Sequence, residues 1–403
     1  MSDLANSTDL SELNMNINQK KLDVEQAVRE RYSVASQAAQ PSLCCPTSYD
    51  SQYLNVLPDE LIERDYGCGD PSRFLKDGDT VLDLGSGGGK ICYIASQVVG
   101  SSGRVIGVDM NEDMLCLARK YQREVGDRIG YHNVEFRKGR IQDLGLDMDE
   151  FEQYLASHPV KSADDWLQAM QVAERMREEQ PLIPGESIDV IVSNCVLNLV
   201  GLENRKQLFS EMFRVLQRGG RVVISDIVSD EEVPERLRND PQLWSGCISG
   251  AFTEHEFLTT FQNAGFYGVE ILERQEQAWA TIEGIEFRSM TVRAFKGKEG
   301  PCLDHKQAVI YKGPWKAVVD DDGHTLFRGR PMAVCEKTMQ MYSSAPYVEH
   351  VIPIHPRVPV VPEDAVEFDC ETDAVRNFKE MKGIAFEKTS LPGDGCCDDG
   401  GCC

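Results

Sequence analysis

The sequence lacks three patterns that would place it in common protein classes. No Cys-x-x-Cys spacing occurs, so neither a zinc knuckle nor a thioredoxin-type redox pair is supported. No apolar run approaches the ~20 residues that a membrane-spanning helix needs. Residues 1–7 are polar and acidic, without the basic and apolar regions of a signal peptide. We therefore expect a cytoplasmic protein that has no membrane partner.

Basic residues are also scarce relative to acidic ones. The 403 residues include 42 Lys and Arg against 66 Asp and Glu, which gives a formal net charge of −24. Nucleic acids and anionic membranes are bound through Lys and Arg, so this balance argues against both as general partners. The composition, with 41% hydrophobic residues, is that of a globular protein, and the length allows two or three domains.

Cysteine, in contrast, is abundant, with 14 residues. In a reducing cytosol structural disulfides are rare, and thiols usually serve reactivity or metal capture. Cys92 and Cys116 lie in predicted helices, and Cys302, Cys335 and Cys370 are isolated in the last domain. We expect these five to be small buried apolar side chains. The other cysteines require a different explanation.

Short buried-strand runs alternate with helical stretches in the middle of the chain. The pattern predicts five strands, Thr80–Leu84, Arg104–Asp109, Val134–Arg137, Ile188–Asn194 and Arg221–Asp226. It further predicts helices Cys92–Val99 and Arg205–Gln217, the latter ending at Gly219-Gly220, and an antiparallel pair, Phe266–Leu272 and Phe287–Phe295. This alternation predicts an α/β fold with a doubly wound parallel sheet, whose ligand lies at the carboxyl ends of the first strands.

Composition and loop signals divide the chain into segments. We expect an N-terminal segment at 1–70 with a polar, helix-prone lead-in and the Cys44/Cys45 and Cys68 loops, a doubly wound domain at 71–297 with an inserted stretch at 230–260, a smaller C-terminal α+β domain at 298–390, and a flexible cysteine-rich tail at 391–403. A second insertion at 145–186 carries Trp166, Met170, Ala173 and Met176 at helical spacing, which predicts ordinary packing of one helix face.

A glycine-rich turn, Asp83-Leu84-Gly85-Ser86-Gly87-Gly88-Gly89-Lys90, joins the first strand to its helix. Glycines let the backbone approach a ligand closely. The dinucleotide motif would need glycine at Lys90, and a P-loop would need Ser or Thr at Ile91, so neither is present. Asp109 ends the second strand, where a carboxylate accepts both hydroxyls of a ribose in nucleotide sites of this architecture.

This combination resembles the class I S-adenosylmethionine-dependent methyltransferases, which have a Rossmann-like sheet. The resemblance implies that Gly85 and Gly87 face the methionine part of the cofactor. It also implies that Asp109 holds the ribose and that Met110 packs on the adenine. The predicted cofactor site comprises ten residues, Tyr66, Asp83, Gly85, Ser86, Gly87, Asp109, Met110, Ile141, Gln142 and Asn194.

Three cysteines occupy irregular or strand-end positions. Cys68 lies between glycines, Cys195 follows the fourth strand, and Cys247 lies in the glycine-rich insertion. The predicted fold can bring all three to one edge of the sheet. Class I methyltransferases place residues at the end of the fourth strand beside the transferred methyl group, so the Cys195 thiol would lie beside the sulfonium of the cofactor.

Three motifs around these cysteines resemble one specific family, the arsenite S-adenosylmethionine methyltransferases. They are Tyr66-Gly67-Cys68-Gly69, Ser193-Asn194-Cys195-Val196-Leu197-Asn198-Leu199-Val200 and Trp244-Ser245-Gly246-Cys247-Ile248-Ser249-Gly250-Ala251. The resemblance implies that Cys68, Cys195 and Cys247 bind trivalent arsenic. It also implies a fourth catalytic cysteine for disulfide exchange, for which Cys44 fits best, with the adjacent Cys45 as the alternative.

The chemistry of arsenic agrees with this resemblance. Trivalent arsenic is soft and prefers thiolates, and methylation oxidises it formally to the pentavalent state. A protein disulfide formed on its return to the trivalent state would be reduced by thioredoxin or glutathione. We therefore expect a monomeric enzyme of arsenic detoxification that uses S-adenosylmethionine and a thiol reductant.

Two alternatives to this function stay open at the level of sequence. One is a methyltransferase for another soft substrate, such as antimonite or a thiol-containing small molecule. The other is a non-catalytic thiol protein that sequesters heavy metals. The sequence leaves equally open whether the tail delivers or scavenges arsenic, and it does not set the number of methyl groups added.

Overall fold

Two compact units divide the chain, Met1–Lys296 and Gly297–Cys403. The computed structural model describes residues 23–40, 43, 47–298 and 300–382. Within these described ranges, no helix has both the length and the apolar character needed to cross a membrane.

A nine-stranded sheet forms the centre of the first unit. Its strands are β1 (Thr80–Leu84), β2 (Arg104–Asp109), β3 (Val134–Lys138), β4 (Ile188–Asn194), β5 (Leu216–Ser229), β6 (Phe252–Thr253), β7 (Tyr267–Arg274), β8 (Ala280–Ile282) and β9 (Ile285–Phe295). The main path runs β3-β2-β1-β4-β5-β9-β7, with β1 to β5 parallel and β9 antiparallel to both of its neighbours. The predicted doubly wound architecture is confirmed, as is the antiparallel pair that ends the sheet.

The strand order reverses between β1 and β4, which lie side by side. Leu84 at the end of β1 pairs with Ser193, and Asn194 at the end of β4 pairs with Ser225 of β5. The turn after β1 and Cys195 after β4 therefore leave the sheet at the same edge. This is the switch point where ligands bind in open α/β sheets.

Helices pack on both faces of this sheet. They are α1 (Val24–Ala35), α2 (Ser51–Leu54), α3 (Asp59–Glu63), α4 (Lys90–Val99), α5 (Glu112–Ile129), α6 (Met148–Ser157), α7 (Ala163–Glu179), α8 (Arg205–Val215), α9 (Glu235–Arg238), α10 (Pro241–Ser245) and α11 (Glu254–Asn263). Leu82 of β1 packs in one apolar cluster with residues of α8 and α11, and Val81 packs in another with residues of α4 and α5. Burial on both faces explains the continuous apolar runs of the strands.

The start of α5 shows how local sequence fixes an element beside the site. The Asn111 side chain accepts hydrogen bonds from the backbone N–H groups of Asp113 at 3.0 Å and Met114 at 3.2 Å. It thereby caps the first turn, where free N–H groups need acceptors. Met114 and Leu115 are buried.

Helix α8 ends earlier than the glycines suggest. It stops at Val215, and Leu216 already begins β5. Gly219 donates a backbone hydrogen bond to Lys296, and Lys296 donates one to Gly220, at 2.8 and 2.9 Å. The predicted helix end at Gly219-Gly220 is wrong because sheet pairing with a distant residue extends this stretch as a strand.

Two other expectations about packing are wrong in part. In α7 the buried positions are Ala169 and Ala173, whereas Trp166 in the first turn is 55% exposed. Cys92 is buried as predicted, but Cys116 is exposed, since it lies on the outer side of α5 with its sulfur 3.6 Å from the Glu112 carboxylate. Spacing alone predicts which residues share a helix face, but not how far the neighbouring elements cover it.

The second unit consists of short antiparallel sheets and two helices among its described residues. Its elements are β10 (Leu303–Asp304), β11 (Ala308–Tyr311), β12 (Ala317–Val319), β13 (Thr325–Phe327), β14 (Pro331–Ala333), α12 (Glu336–Tyr342), β15 (Val351–Ile354), β16 (Val366–Glu367) and α13 (Phe378–Lys382). Strand β11 lies between β14 and β15, and β10 pairs with β16. This architecture agrees with the smaller α+β fold predicted for this part of the chain.

Candidate active site

The turn after β1 takes left-handed backbone conformations at its glycines. Gly85 has φ +71° and Gly87 has φ +51°, which side chains disfavour. The Gly87 N–H donates a 2.8 Å hydrogen bond to the Asp109 carboxylate, and the Asn111 N–H donates one of 2.8 Å to the other oxygen. One carboxylate thus joins the turn to the end of β2.

Two buried carboxyl groups, Asp83 and Asp109, lie beside this turn. Burial raises the pKa of Asp83 to about 7, against the opposing effect of the Cys92 thiol, which donates a hydrogen bond of 3.2 Å to it. Burial also raises the pKa of Asp109, against the backbone hydrogen bonds that favour its charged form. A cation bound nearby would stabilise both carboxylates, so the site favours a positively charged ligand.

A cleft opens at this edge of the sheet. On its walls the structure brings together all ten residues predicted for the cofactor, Tyr66, Asp83, Gly85, Ser86, Gly87, Asp109, Met110, Ile141, Gln142 and Asn194. Cys195 lines the same cleft.

Helix α1 also lines the cleft, through residues that the sequence did not single out. The Glu25 carboxylate accepts a 2.7 Å hydrogen bond from the Gln142 amide and forms an ion pair with Arg140. The Tyr32 ring packs edge-on against Tyr66, with 6.1 Å between ring centres. The sequence predicted only a polar lead-in here, because alternating charges on a helix do not identify what the helix covers.

Asn194 connects the end of β4 to the Cys68 loop rather than pointing freely into the cleft. Its side-chain oxygen accepts hydrogen bonds from the N–H groups of Cys68 at 2.8 Å and Gly69 at 3.1 Å. Its amide nitrogen donates to the Gly69 carbonyl at 2.7 Å and to the Tyr49 hydroxyl at 3.2 Å. This carboxamide therefore fixes the backbone that carries Cys68.

Cys68 and Cys195 form a disulfide, with 5.8 Å between their Cα atoms and a sequence separation of 127. The sequence predicted thiols rather than a disulfide at both positions. The register of β4 against β5 and the Asn194 hydrogen bonds bring the two residues together. Their sulfurs can therefore act on one ligand when reduced, or on each other when oxidised.

Cys247 packs in the same buried cluster as these two residues. Each of the three cysteines is 5% exposed. The Cys247 thiol donates a hydrogen bond of 3.2 Å to the Cys195 carbonyl. Cys195 at φ +61° and Cys247 at φ +63° both take the left-handed conformation, which costs a residue with a side chain about 1–3 kcal/mol. Strain of this kind at two adjoining cysteines is typical of functional sites.

Asp226 is a further residue of the site that sequence reasoning did not identify. One of its carboxylate oxygens and the sulfurs of Cys68 and Cys195 all lie within 4.8 Å of one another. Burial raises the pKa of Asp226 to about 7, while backbone hydrogen bonds from Ile227, Asn198 and Leu197 act against burial. Its position as the last residue of a predicted strand was the available signal.

Part of the predicted site lies outside the described residues. This applies to the fourth catalytic cysteine, Cys44 or Cys45, and to the tail at 391–403. Leu43, which directly precedes Cys44 in the sequence, is described and is buried in a cluster with Ala35, Tyr66 and Met114.

Both units match known protein families. A family described as a methyltransferase domain matches residues 75–265, and a domain of unknown function matches residues 298–386. The arsenite methyltransferase of Aquipseudomonas alcaligenes is 34% identical over 325 residues, which are 77% of this chain and 84% of that protein. The arsenite methyltransferase of Mus musculus is 27% identical over 371 residues, covering 88% of each.

A comparison with solved structures agrees with these matches. An arsenic (III) S-adenosylmethionine methyltransferase from Chlamydomonas reinhardtii aligns with a TM-score of 0.51 and 27% identity, over 82% of this chain and 100% of that one.

Proposed function

The chain belongs to the arsenite methyltransferases, and we propose that it methylates trivalent arsenic bound by the sulfurs of Cys68, Cys195 and Cys247. The observation that supports this assignment is that Cys195 lines the cleft beside the glycine turn and that the sulfur of Cys68 is bonded to the sulfur of Cys195. A methyl donor bound in the cleft and the arsenic that accepts the methyl group from its position on the sulfurs would then meet at the end of β4.

The cleft fits S-adenosylmethionine. The Ser86 hydroxyl is buried without a hydrogen-bond partner among the described residues, and Asp83 and Asp109 favour a cation. In our proposal Asp109 holds the ribose hydroxyls, and Met110 and Ile141 contact the adenine. When bound, S-adenosylmethionine supplies a methyl group on a positively charged sulfur.

The cysteines convert arsenite into a positioned nucleophile. Each thiol replaces one hydroxyl on arsenic, so that an S–As bond forms, an As–O bond breaks, and the thiol proton leaves with the oxygen as water. Three sulfurs around arsenic leave its lone pair free. Because the protein holds both reactants, most of the rate gain would come from positioning.

The same sulfurs provide a route back to trivalent arsenic. Methylation takes arsenic formally from the trivalent to the pentavalent state, and two thiols can return two electrons by closing into a disulfide. Cys68 and Cys195 are close enough to form that bond. Thioredoxin or glutathione then reduces the disulfide by exchange, which fits a cytoplasmic, monomeric enzyme with Cys44 or Cys45 as an exchange partner.

The proposal is tested by product speciation. Purified protein with S-adenosylmethionine, arsenite and a thiol reductant should give mono- and dimethylated arsenic. Cys195→Ser and Cys68→Ser should each abolish methylation while S-adenosylmethionine still binds in calorimetry. Cys116→Ser, at an exposed position outside the cleft, is the matched control and should be fully active. Full activity of Cys195→Ser would overturn the three-thiol site.

A further inference from the structure

The second unit contains a cluster of three thiols. The sulfurs of Cys302, Cys335 and Cys370 all lie within 4.8 Å of one another, and all three residues are free cysteines. The sequence predicts isolated side chains at these positions, and that prediction is wrong. Residues separated by more than thirty positions in the chain meet at one point of this unit.

The fold of the unit explains this convergence. Cys302 directly precedes β10, which pairs with β16. The backbone of Phe368, just after β16, donates a 2.8 Å hydrogen bond to the Cys302 carbonyl, and Cys370 follows two residues later. Cys335 directly precedes α12. Strand pairing therefore fixes two of the thiols relative to each other, and the start of a helix supplies the third.

The sulfur of Cys335 is held in a defined position. Cys335 is 1% exposed, and its sulfur accepts a 3.4 Å hydrogen bond from the Thr338 N–H and lies 3.2 Å from the Thr338 hydroxyl. Cys302 and Cys370 are half-buried. The cluster thus has one fixed, buried member and two members that a small solute can reach.

The pKa values of two of these thiols shift in opposite directions. Burial acts to raise the pKa of Cys302, but hydrogen bonds from Cys370, Cys335 and Lys337 outweigh it and lower that pKa. Burial, followed by the hydrogen bond with Cys302, raises the pKa of Cys370 to about 12.

We propose that Cys302, Cys335 and Cys370 form a second, non-catalytic binding site for trivalent arsenic. This inference rests on the proposed function only for the identity of the ligand. Binding follows the same balance as above: three S–As bonds replace three As–O bonds, and three thiol protons leave as three waters. No oxidant, reductant or net change of charge is needed.

Charge and ligand number favour arsenite over zinc at this cluster. Three thiolates around Zn²⁺ leave a net negative charge in a chain whose formal charge is already −24, whereas a neutral arsenic bound by three sulfurs adds none. Structural zinc sites have four protein ligands. In the part of the chain that the structure describes, the group contains three.

Arsenic stoichiometry tests this site in the full-length chain. We define a background variant in which Ser replaces every cysteine of the proposed catalytic site and of the tail. The replaced residues are Cys68, Cys195, Cys247, Cys44, Cys45 and the four tail cysteines. After incubation with arsenite and desalting, elemental analysis should find one arsenic per chain, and X-ray absorption should find three sulfur neighbours. Adding Cys302→Ser, Cys335→Ser and Cys370→Ser should remove that arsenic, whereas adding Cys116→Ser should not.

Several outcomes would overturn the proposal. The first is that the background variant binds no arsenic. The second is that zinc co-purifies with that variant and arsenite does not displace it. The third is that Cys302 and Cys370 form a disulfide that prevents arsenic from binding. The single variant Cys370→Ser, at a half-buried position, controls for loss of folding. It should lower the number of sulfur neighbours around arsenic or abolish arsenic binding. Its melting curve in circular dichroism should stay unchanged.

A separate variant distinguishes this site from the catalytic one. The chain with only Cys302, Cys335 and Cys370 replaced by Ser should lose one bound arsenic yet methylate arsenite at the unaltered maximal rate. If that chain and the unaltered chain both fail to methylate while the background variant still binds arsenic, the proposed function fails and the second site stands.

Discussion

The side-chain oxygen of Asn194 lies 2.8 Å from the backbone nitrogen of Cys68, across 126 residues of sequence. This hydrogen bond ties the end of the fourth strand to the cysteine opposite Cys195. In the proposed function it makes Asn194 a positioning residue, because it would act on the Cys68 sulfur through the backbone and not by contact with arsenic.

Replacing Asn194 should therefore uncouple the two cysteines. Asn194→Ala leaves the N–H groups of Cys68 and Gly69 without their acceptor, which costs about 1–3 kcal/mol for a buried group. We expect the maximal methylation rate to fall at least about tenfold and the Cys68–Cys195 disulfide to form more slowly, as measured by thiol trapping. Asn194→Asp keeps the acceptor oxygen and should recover part of the trapping rate. Unchanged trapping in Asn194→Ala would contradict a positioning role.

The backbone at Gly69 approaches β5 too closely for a side chain. A Cβ added there would lie 2.6 Å from the Ser225 Cβ, so Gly69→Ala must shift the Cys68 loop. Overpacking of this kind costs about 1–3 kcal/mol of folding stability. We therefore expect a lower free energy of unfolding in denaturant titrations, together with loss of methylation. Gly185→Ala is the control, since its nearest neighbours would lie 3.6 Å or farther away. A Gly69→Ala protein with normal stability would refute the steric argument.

Asp83 should make stability depend on pH. Its pKa is about 7 in the folded chain and about 3.9 when unfolded, so between these values the folded state binds the extra proton. This contribution to the free energy of unfolding is present below about pH 4 and is lost as the pH rises through 7. Denaturation curves from pH 4 to 8 should show this loss reduced in Asp83→Asn. Glu232→Gln, in an exposed loop, should show the same pH dependence of the free energy of unfolding as the unaltered protein.

Glu25 should contribute to cofactor binding through Gln142 and Arg140. Glu25→Ala removes the shared acceptor of both side chains, and loss of one such interaction is worth about 1 kcal/mol. We expect the Kd for S-adenosylmethionine to rise several-fold in calorimetry. Glu30→Ala removes an exposed carboxylate from the same helix and should leave the Kd unchanged. Equal effects of both variants would mean that helix stability alone is responsible.

The local sequence predicts the fold correctly where neighbouring residues determine the structure. The five parallel strands, the Asn111 cap and the glycine turn all follow from patterns spanning a few residues, because strand burial, capping and left-handed turns are local requirements. The ten residues predicted to bind the cofactor meet in one cleft because the order of parallel strands determines which strand ends adjoin.

Contacts between distant residues were not predictable in the same way. The pairing of Gly219 and Gly220 with Lys296, the contact of Glu25 with Gln142, and the meeting of Cys302, Cys335 and Cys370 each depend on segments that no short pattern relates. Spacing in the sequence makes distant cysteines look isolated, because it carries no information on pairing between separate sheets. Asp226 was missed for a similar reason, since its importance comes from the two sulfurs opposite it.

The left-handed backbone at Cys195 and Cys247 has a consequence for how the enzyme can be improved. Glycine is the residue best suited to those two conformations, so Cys195→Gly and Cys247→Gly would remove the steric cost of a side chain and, with it, two thiols of the proposed arsenic site. Selection for thermal robustness alone would therefore work against these thiols, and stabilising screens need to be paired with an arsenic readout.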